Sequence, residues 1–328
     1  MPPTTDKSLR FERQLRFQQQ LNVNATSDVR AWLRVSDVVE HVALWLDDRY
    51  LGDSETPFQP RMLELPNGTT SAILSVEFVQ LDDIRLPRIE LVKTGPIRIG
   101  RHRVTCAEAS NDRGSLDIHV ELDTNTPTSA WVRTVITDED DVIVVDDARR
   151  HSLALGKNRL RWSETLDEPQ LWQKRDASGT TRPLYNVCTS VGVYGATDTS
   201  DTAESTTGFR TVARTRGALR INDNVQPLIF LSMDAPPWPA VDSHAIVRLT
   251  RVNPTDVYRE ADAQGIFICQ RLPDSADHAR QVVDLLANHP SIIAWSLPRK
   301  PRRTLRAGGD PVRRVADRVD GTRPILTE

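Results

Sequence analysis

The sequence is short of several residue types, and each shortage excludes a class of protein. Only 3 of its 328 residues are cysteines (Cys106, Cys188 and Cys269), and they are too far apart to form a CxxC motif. We interpret them as buried thiols in a reducing compartment rather than as a disulfide framework. Its apolar runs, such as residues 291–297, are too short to cross a bilayer, so we expect no membrane association. The first ten residues have no apolar stretch behind their charges, which predicts a cytoplasmic protein without a secretory signal.

Lysine and glutamate are also scarce. The chain has 5 lysines against 37 arginines, and 14 glutamates against 31 aspartates, for a net charge of -3. From residue 297 to the end, nine basic residues face four acidic ones. A mixed run of this kind is typical of a solvated surface, so we do not expect nucleic-acid binding. The 7 histidines show no HxH or HExxH spacing, and no glycine-rich phosphate loop is present, so we predict no metal and no cofactor.

The first two-thirds of the chain alternate apolar and polar residues with the period of half-buried strands, as in residues 29–35, 42–46 and 72–78. Asp47-Asp48 and residues 66–68 are turn signals between these strands. The pattern predicts two successive β-sandwiches. Residues 196–207 are rich in Thr, Ser, Asp and Ala, and we predict an exposed loop there.

From about residue 218 the pattern changes to strands that alternate with helices. Apolar strands are predicted at 245–249, 266–269, 292–297 and 325–326, and helices at 256–263, 276–287 and 312–319. Thr255 is the predicted N-cap of the first helix, and Gly265 its C-terminal stop. This alternation predicts a parallel sheet, in either a (β/α) barrel or a doubly wound fold.

Several short strings resemble family 2 glycoside hydrolases, the β-galactosidase, β-glucuronidase and β-mannosidase group, in the family's order. They include ALWLDD at 43–48, LW at 171–172, LY at 184–185, GFR at 208–210, HPSIIAWS at 289–296 and DGTRPI at 320–325. The resemblance implies a multidomain β then α/β chain. Its parts would be a sugar-binding-like jelly-roll β-sandwich at 1–95, an immunoglobulin-like β-sandwich at 96–212, and a truncated, incomplete (β/α) TIM-type barrel at 213–328.

The resemblance also implies where catalysis should occur. The family's acid/base glutamate follows an asparagine directly after the HPSIxxWS string, and here those two positions hold Arg299 and Lys300. An ammonium cannot recover a proton as a general base, and it repels an oxocarbenium-like transition state. The nucleophile belongs to a seventh strand, and we expect this chain to end near the fifth. We therefore predict no catalytic residue and an inactive single chain, although its status as an enzyme stays open.

One arginine and three tryptophans are candidates for ligand binding. Arg248 occupies the position of the family's strand-2 arginine, and Trp45 and Trp295 could stack on sugar rings, as could Trp172; tryptophans in β-sandwiches nevertheless lie in the core more often. We expect a non-catalytic protein, a pseudoenzyme, that binds or senses carbohydrate. The alternative is a structural or interaction protein, and a residual β-glycosidase is the least expected. Five strands cannot close a barrel, so we also expect self-association or a protein partner to cover the open sheet.

Overall fold

The computed structural model describes residues 13–23, 29–36, 42–54, 60–80, 88–174, 183–239, 245–297 and 310–327. The chain divides into two compact units, Met1–Thr94 and Gly95–Glu328. Among the described residues, no helix is long and apolar enough to span a membrane.

The first unit contains seven described strands: β1 Arg13–Asn22, β2 Arg30–Ser36, β3 Val42–Leu46, β4 Arg49–Ser54, β5 Arg61–Glu64, β6 Ser71–Gln80 and β7 Arg88–Thr94. They form two antiparallel sheets, in the orders β1-β6-β3-β4 and β5-β2-β7. Alternate residues of both sheets, such as Leu44, Leu74, Leu33 and Leu63, enter one shared core. The alternation predicted from sequence therefore folds as a sandwich.

The predicted hairpin at Asp47-Asp48 is confirmed. Both aspartates have positive φ, 46° and 65°, as in the turns whose twist matches that of the flanking strands. The Asp47 carboxylate accepts a hydrogen bond from the Ile73 amide at 2.7 Å, and the Asp47 amide donates to the Ile73 carbonyl at 3.0 Å. These bonds hold Asp47 in a backbone conformation that glycine or asparagine usually takes.

The second unit begins with seven strands: β8 Ile97–Ala109, β9 Arg113–Thr124, β10 Thr128–Thr137, β11 Ile143–Leu153, β12 Gly156–Asp167, β13 Tyr185–Val193 and β14 Asp201–Thr207. Antiparallel sheets β11-β10-β13-β14 and β12-β9-β8 enclose one core, which includes Ile118, Leu122, Val132 and Val187. The predicted second sandwich is thus observed.

The prediction of a loop at 196–207 was wrong for its second half, where β14 pairs antiparallel with β13. An edge strand needs only main-chain bonds to one neighbour, so it can form without apolar side chains. Its Ser205 hydroxyl instead contacts His102 Nδ1 at 2.9 Å and accepts a bond from Asn288 Nδ2 at 2.6 Å. The cysteines are free, but Cys188 is only half-buried, which corrects the expectation of three buried thiols.

The remaining elements are β15 Val212–Thr215, β16 Ala218–Ile221, β17 Asn224–Pro227, β18 Phe230–Met233, β19 Ile246–Leu249, α1 Thr255–Gln264, β20 Ile268–Arg271, α2 Ala276–Leu286, β21 Ile292–Leu297, α3 Pro311–Val319 and β22 Ile325–Thr327. Strands β15, β16 and β17 form a small antiparallel sheet. The last five strands form a parallel sheet in sequential order, β18-β19-β20-β21-β22. A doubly wound sheet reverses its strand order, and this one does not.

The helices match their predicted positions within one or two residues, with two local corrections. The N-cap of α1 is Pro254 rather than Thr255, and it makes no side-chain cap bond. The strand predicted at 266–269 is observed two residues later, as β20. Ile268 is the first of its residues that pairs with both β19 and β21. Gly265 has φ 65° and ends α1 as predicted.

The two faces of the parallel sheet have different surroundings. Gln270 of β20 points to the helices, since its Oε1 accepts a 2.7 Å bond from the Tyr258 hydroxyl of α1. The opposite face carries Ile246 and Cys269, which cluster with Leu219 of β16 and with Trp172. The small sheet and the loop around Trp172 therefore cover part of this second face.

Candidate functional site

In parallel α/β sheets, ligands bind at the carboxyl ends of the strands, so this edge is the first candidate site. Asp234 follows β18 there, accepts a hydrogen bond from the Thr250 hydroxyl and lies 3.9 Å from Arg251 Nη2. Hydrolysis with retention needs two carboxyl groups about 5 Å apart. The sequence has no glutamate between Glu260 and Glu328.

Arg248 lies on β19 and faces the same side of the sheet as Ile246. Its guanidinium carbon is 4.0 Å from the centroid of the Phe230 ring, and the residue is half-buried. This stacking fixes the arginine near the edge where a ligand would enter. Ligand binding by Arg248 stays a prediction.

Trp295 does not have the surroundings of a ligand platform, and we correct that prediction. It lies opposite Gln270 in the parallel register, so it faces the helices. Its exposed fraction is 0%, and its indole N–H donates to Asp320 Oδ2 at 3.0 Å. A continuous apolar strand is buried on both faces, and the tryptophan here fills the layer between sheet and helices. Trp172 is likewise fully buried and donates to the Asp262 carbonyl at 2.9 Å.

Trp45 differs, because it is half-buried on the outer face of the first unit's larger sheet. Tyr50 lies opposite it in the hairpin, with ring centroids 5.7 Å apart, and is 53% exposed. The Arg16 guanidinium lies 5.7 Å from the Trp45 ring and 3.5 Å from Asp48. We call Arg16, Trp45, Asp48 and Tyr50 the aromatic surface. It combines apolar ring faces with a cation and a carboxylate at their margin.

Sequence reasoning found Trp45 but missed Tyr50 and Arg16. A signal for Tyr50 was present, because a two-residue turn at Asp47-Asp48 places residue 45 close to residue 50 across the hairpin. Arg16 had no such signal. It joins the surface only because β1 pairs with β6, a partner more than 50 residues away in sequence.

A second group of polar residues lies at the amino end of the parallel sheet. We define the basal network as Arg210, Asp262, His289, Asp320 and Arg323, all of them buried. Asp262 contacts His289 Nδ1 at 2.6 Å and accepts the Ser291 amide at 2.9 Å. These bonds tie α1 to the start of β21.

The two arginines of the basal network donate to main-chain carbonyls. Arg210 donates to Pro290 at 2.5 Å and to Ile292 at 2.7 Å, and Arg323 donates to Ile292 at 2.6 Å. Burial, helped by the nearby charge of Arg323, lowers the pKa of Arg210 to about 9. Burial alone would raise the pKa of Asp320, but its bonds and attraction to Arg323 outweigh this and lower it. Asp320 is therefore an anion between two buried cations.

Comparison with known proteins identifies the second sandwich. Residues 97–210 match the family model described as Glycosyl hydrolases family 2. The resemblance to family 2 glycoside hydrolases is confirmed. No curated protein matches the chain.

Solved structures extend the likeness in fold to nearly the whole chain. A glycosyl hydrolase family 2 member from Bacteroides cellulosilyticus is 15% identical with a TM-score of 0.76, over 96% of this chain and 47% of that one. A β-D-mannosidase from Dictyoglomus thermophilum is 14% identical with a TM-score of 0.75, over 96% and 51%. A Bacteroides uniformis β-glucuronidase is 14% identical with a TM-score of 0.73, over 97% and 46%. The chain thus spans about half the length of these structures.

Three of the family 2 strings contribute residues to the basal network. GFR, HPSI and DGTRPI supply Arg210, His289, Asp320 and Arg323 to the basal network. Gly208 of GFR is needed for close approach, because a Cβ there would lie 2.7 Å from the Trp172 Cβ. The positions that correspond to the family's acid/base pair, Arg299 and Lys300, lie outside the described residues. Within the described part of the chain, no cluster of His, Cys, Asp and Glu could hold a metal ion.

Proposed function

We propose that this chain is a non-catalytic, carbohydrate-binding relative of the family 2 glycoside hydrolases. The observation that carries the proposal is the aromatic surface of the first unit. Its two ring centroids lie 5.7 Å apart with the ring planes 59° to each other, and the Tyr50 side chain is more than half exposed. Sugar rings present C–H faces that pack on aromatic side chains, and their hydroxyls bond to nearby charged or polar groups.

The polar groups around the rings suit this role. Arg16 and Asp48 supply donors and acceptors at the margin, while Gln18 donates to the buried Ser75 hydroxyl at 3.0 Å on the same sheet. A neutral sugar needs both kinds of group, because each hydroxyl is a donor and an acceptor. We therefore assign neutral hexose units as the ligand class.

Two residues of the sequence support the lack of catalysis. Arg299 and Lys300 stand where the family resemblance expects asparagine and glutamate. A second chain could supply a nucleophile, but it would still meet a cation at the acid/base position. Such a site lacks the carboxyl group that must both donate and recover a proton.

The finer architecture is part of the same proposal. We assign residues 1–95 to a jelly roll, 96–212 to an immunoglobulin-like sandwich and 213–328 to part of a (β/α) barrel. The sequential order of the five parallel strands supports the last assignment, as do the TM-scores above 0.7.

The open sheet favours a second candidate function, as an interaction protein. Strand β18 has one parallel neighbour among the described strands, and its Leu231 is 43% exposed. Edges of this kind are covered in most proteins. We propose a second copy or another protein as the cover, and light scattering after gel filtration tests this. A monodisperse monomer would contradict self-association.

Binding to the aromatic surface is tested by calorimetry and thermal unfolding with galactose-, mannose-, glucose- and glucuronate-based glycans. A ligand at a hundred times its dissociation constant stabilises the folded state by about 2.7 kcal/mol. Tyr50→Ala should weaken binding about tenfold. Tyr194→Ala is the matched control, since Tyr194 is 52% exposed and has Arg150 over its ring, as Trp45 has Arg16.

Two outcomes would contradict the proposal. Absence of saturable binding to any glycan rejects the carbohydrate role and leaves the interaction role. Turnover of aryl β-glycosides by the purified chain rejects the non-catalytic assignment.

A further inference from the structure

A cavity of about 390 Å³ lies in the second unit, between the sheet β12-β9-β8 and helices α2 and α3. Its charged lining consists of five arginines, Arg101, Arg103, Arg159, Arg280 and Arg318, with the carboxylates Glu121 and Asp284. We call it the arginine pocket. Three positive charges are left over when the acids are subtracted from the arginines.

Asp284 lies at the buried end of the arginine pocket, and its side chain is 2% exposed. Arg103 donates to it at 2.9 Å, and Arg101 and Arg280 lie 3.2 Å and 3.8 Å away, so one buried carboxylate pairs with three guanidinium groups. Arg103 is 11% exposed, and its buried Nε has no hydrogen-bond partner. A desolvated N–H without an acceptor is unfavourable, so this group favours an oxyanion beside it.

The mouth of the arginine pocket is also basic. Arg159 is 74% exposed and lies 3.4 Å from Glu121, which also pairs with Lys157 at 3.1 Å. Arg318 is exposed and makes no ion pair within the described part of the chain. Cations at the mouth attract an anion, and the buried ones at the bottom can hold it.

The pKa of His119 is also affected by the positive charges around the arginine pocket. Burial first, and then the charges of Arg103 and Arg161, lower the pKa of His119 to about 4. The imidazole is therefore neutral at pH 7 and does not add to the charge of the lining. It can offer one N–H to a ligand.

We infer that the arginine pocket is a binding site for a small molecule that carries a diphosphate group. Guanidinium groups bind phosphate oxygens through paired N–H donors, and three surplus charges match a multiply charged group better than a single carboxylate. The volume falls in the range of small-molecule sites, and Leu160, Val315 and Val319 add an apolar wall for an organic group. This inference does not depend on carbohydrate binding.

The test uses inorganic pyrophosphate, titrated into the full chain by calorimetry at a fixed ionic strength of about 0.15 M, where long-range attraction is screened. We expect saturable binding. The double variant Arg159→Ala/Arg318→Ala should raise the dissociation constant about tenfold or more, because charge-assisted bonds are lost. Both side chains are exposed, so the variant should fold, and its circular dichroism spectrum verifies this.

The matched control is Arg220→Ala/Arg314→Ala, which removes the same charge from two exposed arginines that do not line the arginine pocket. Its dissociation constant should stay within about twofold of the unchanged chain. Absence of saturable binding, an unaffected Arg159→Ala/Arg318→Ala variant, or equal weakening in both double variants would each overturn the inference.

Discussion

The two ends of the parallel sheet retain different parts of the family 2 pattern. At the amino end, Arg210, His289, Asp320 and Arg323 come from family strings and are buried. The two arginines bond to main-chain carbonyls, and His289 bonds to the Asp262 carboxylate. At the carboxyl end, Arg248 is half-buried beside Phe230, and the sequence has Arg299 and Lys300 at the positions that correspond to the family's acid/base pair. The comparison indicates that the strings shared with the family form buried contacts at the amino end of the sheet.

A physical reason accounts for this difference. Carbonyls of the loop before β21, at Ala287, His289 and Pro290, and of Ile292 at its start, accept bonds from the buried arginines. Removing one arginine would leave buried acceptors unpaired, which destabilises the fold whether or not the protein is an enzyme. A residue that acts only in catalysis has no such second role, so it can change without unfolding the chain.

The largest effect is expected from Asp320→Ala in the basal network. The change leaves Arg323 and Arg210 buried without their shared anion and removes the acceptor of the Trp295 N–H. Breaking a buried ion pair by removing one partner costs about 3–5 kcal/mol. Urea unfolding of the purified variant measures the loss.

Asp317→Ala is the control for this change, since Asp317 is exposed on the same helix. Its free energy of unfolding should stay within about 0.5 kcal/mol of the unchanged chain. Equal losses in the two variants would contradict a structural role specific to the basal network.

Much of the fold could be predicted from the sequence, because its signals are local. Gly265 ends α1 through its left-handed backbone, and the apolar run at 292–297 became β21. Strand β14 could not be predicted, because its stability comes from main-chain pairing with β13 and not from its own side chains. Periodicity finds elements that bury apolar residues and overlooks those that do not.

The candidate site was harder to predict than the fold. Trp45 and Trp295 are both tryptophans within strands, and only the tertiary structure separates them, one at a sheet surface and one between sheet and helices. The arginine pocket combines strands β8, β9 and β12 with helices about 120 residues later in the sequence. No spacing along the chain indicates such a site.

A smaller effect is expected on lowering the pH, through His102 of β8. Burial beside the Ser205 and Thr189 hydroxyls lowers the pKa of His102 from its ordinary value of 6.5 to about 4. The unfolded chain therefore binds this proton first, so stability is lost as the pH falls from about 6.5 towards 4. Urea unfolding at several pH values should show that the free energy of unfolding falls less steeply with decreasing pH in His102→Gln than in the unchanged chain. The same pH dependence of the free energy of unfolding in both proteins would contradict a lowered pKa of His102.

The smallest effect is expected at the carboxyl end of the sheet, from Arg248→Met. This change removes a cation stacked on Phe230 but keeps most of the side-chain volume, so the loss should be about 1 kcal/mol. Arg210→Met is the matched variant at the amino end, and it should cost at least about 2 kcal/mol, because two buried carbonyls lose their donor. Urea unfolding of both variants compares the ends of the sheet directly. Equal losses would show that Arg248 is as structural as Arg210, and the carboxyl edge would then no longer be a candidate ligand site.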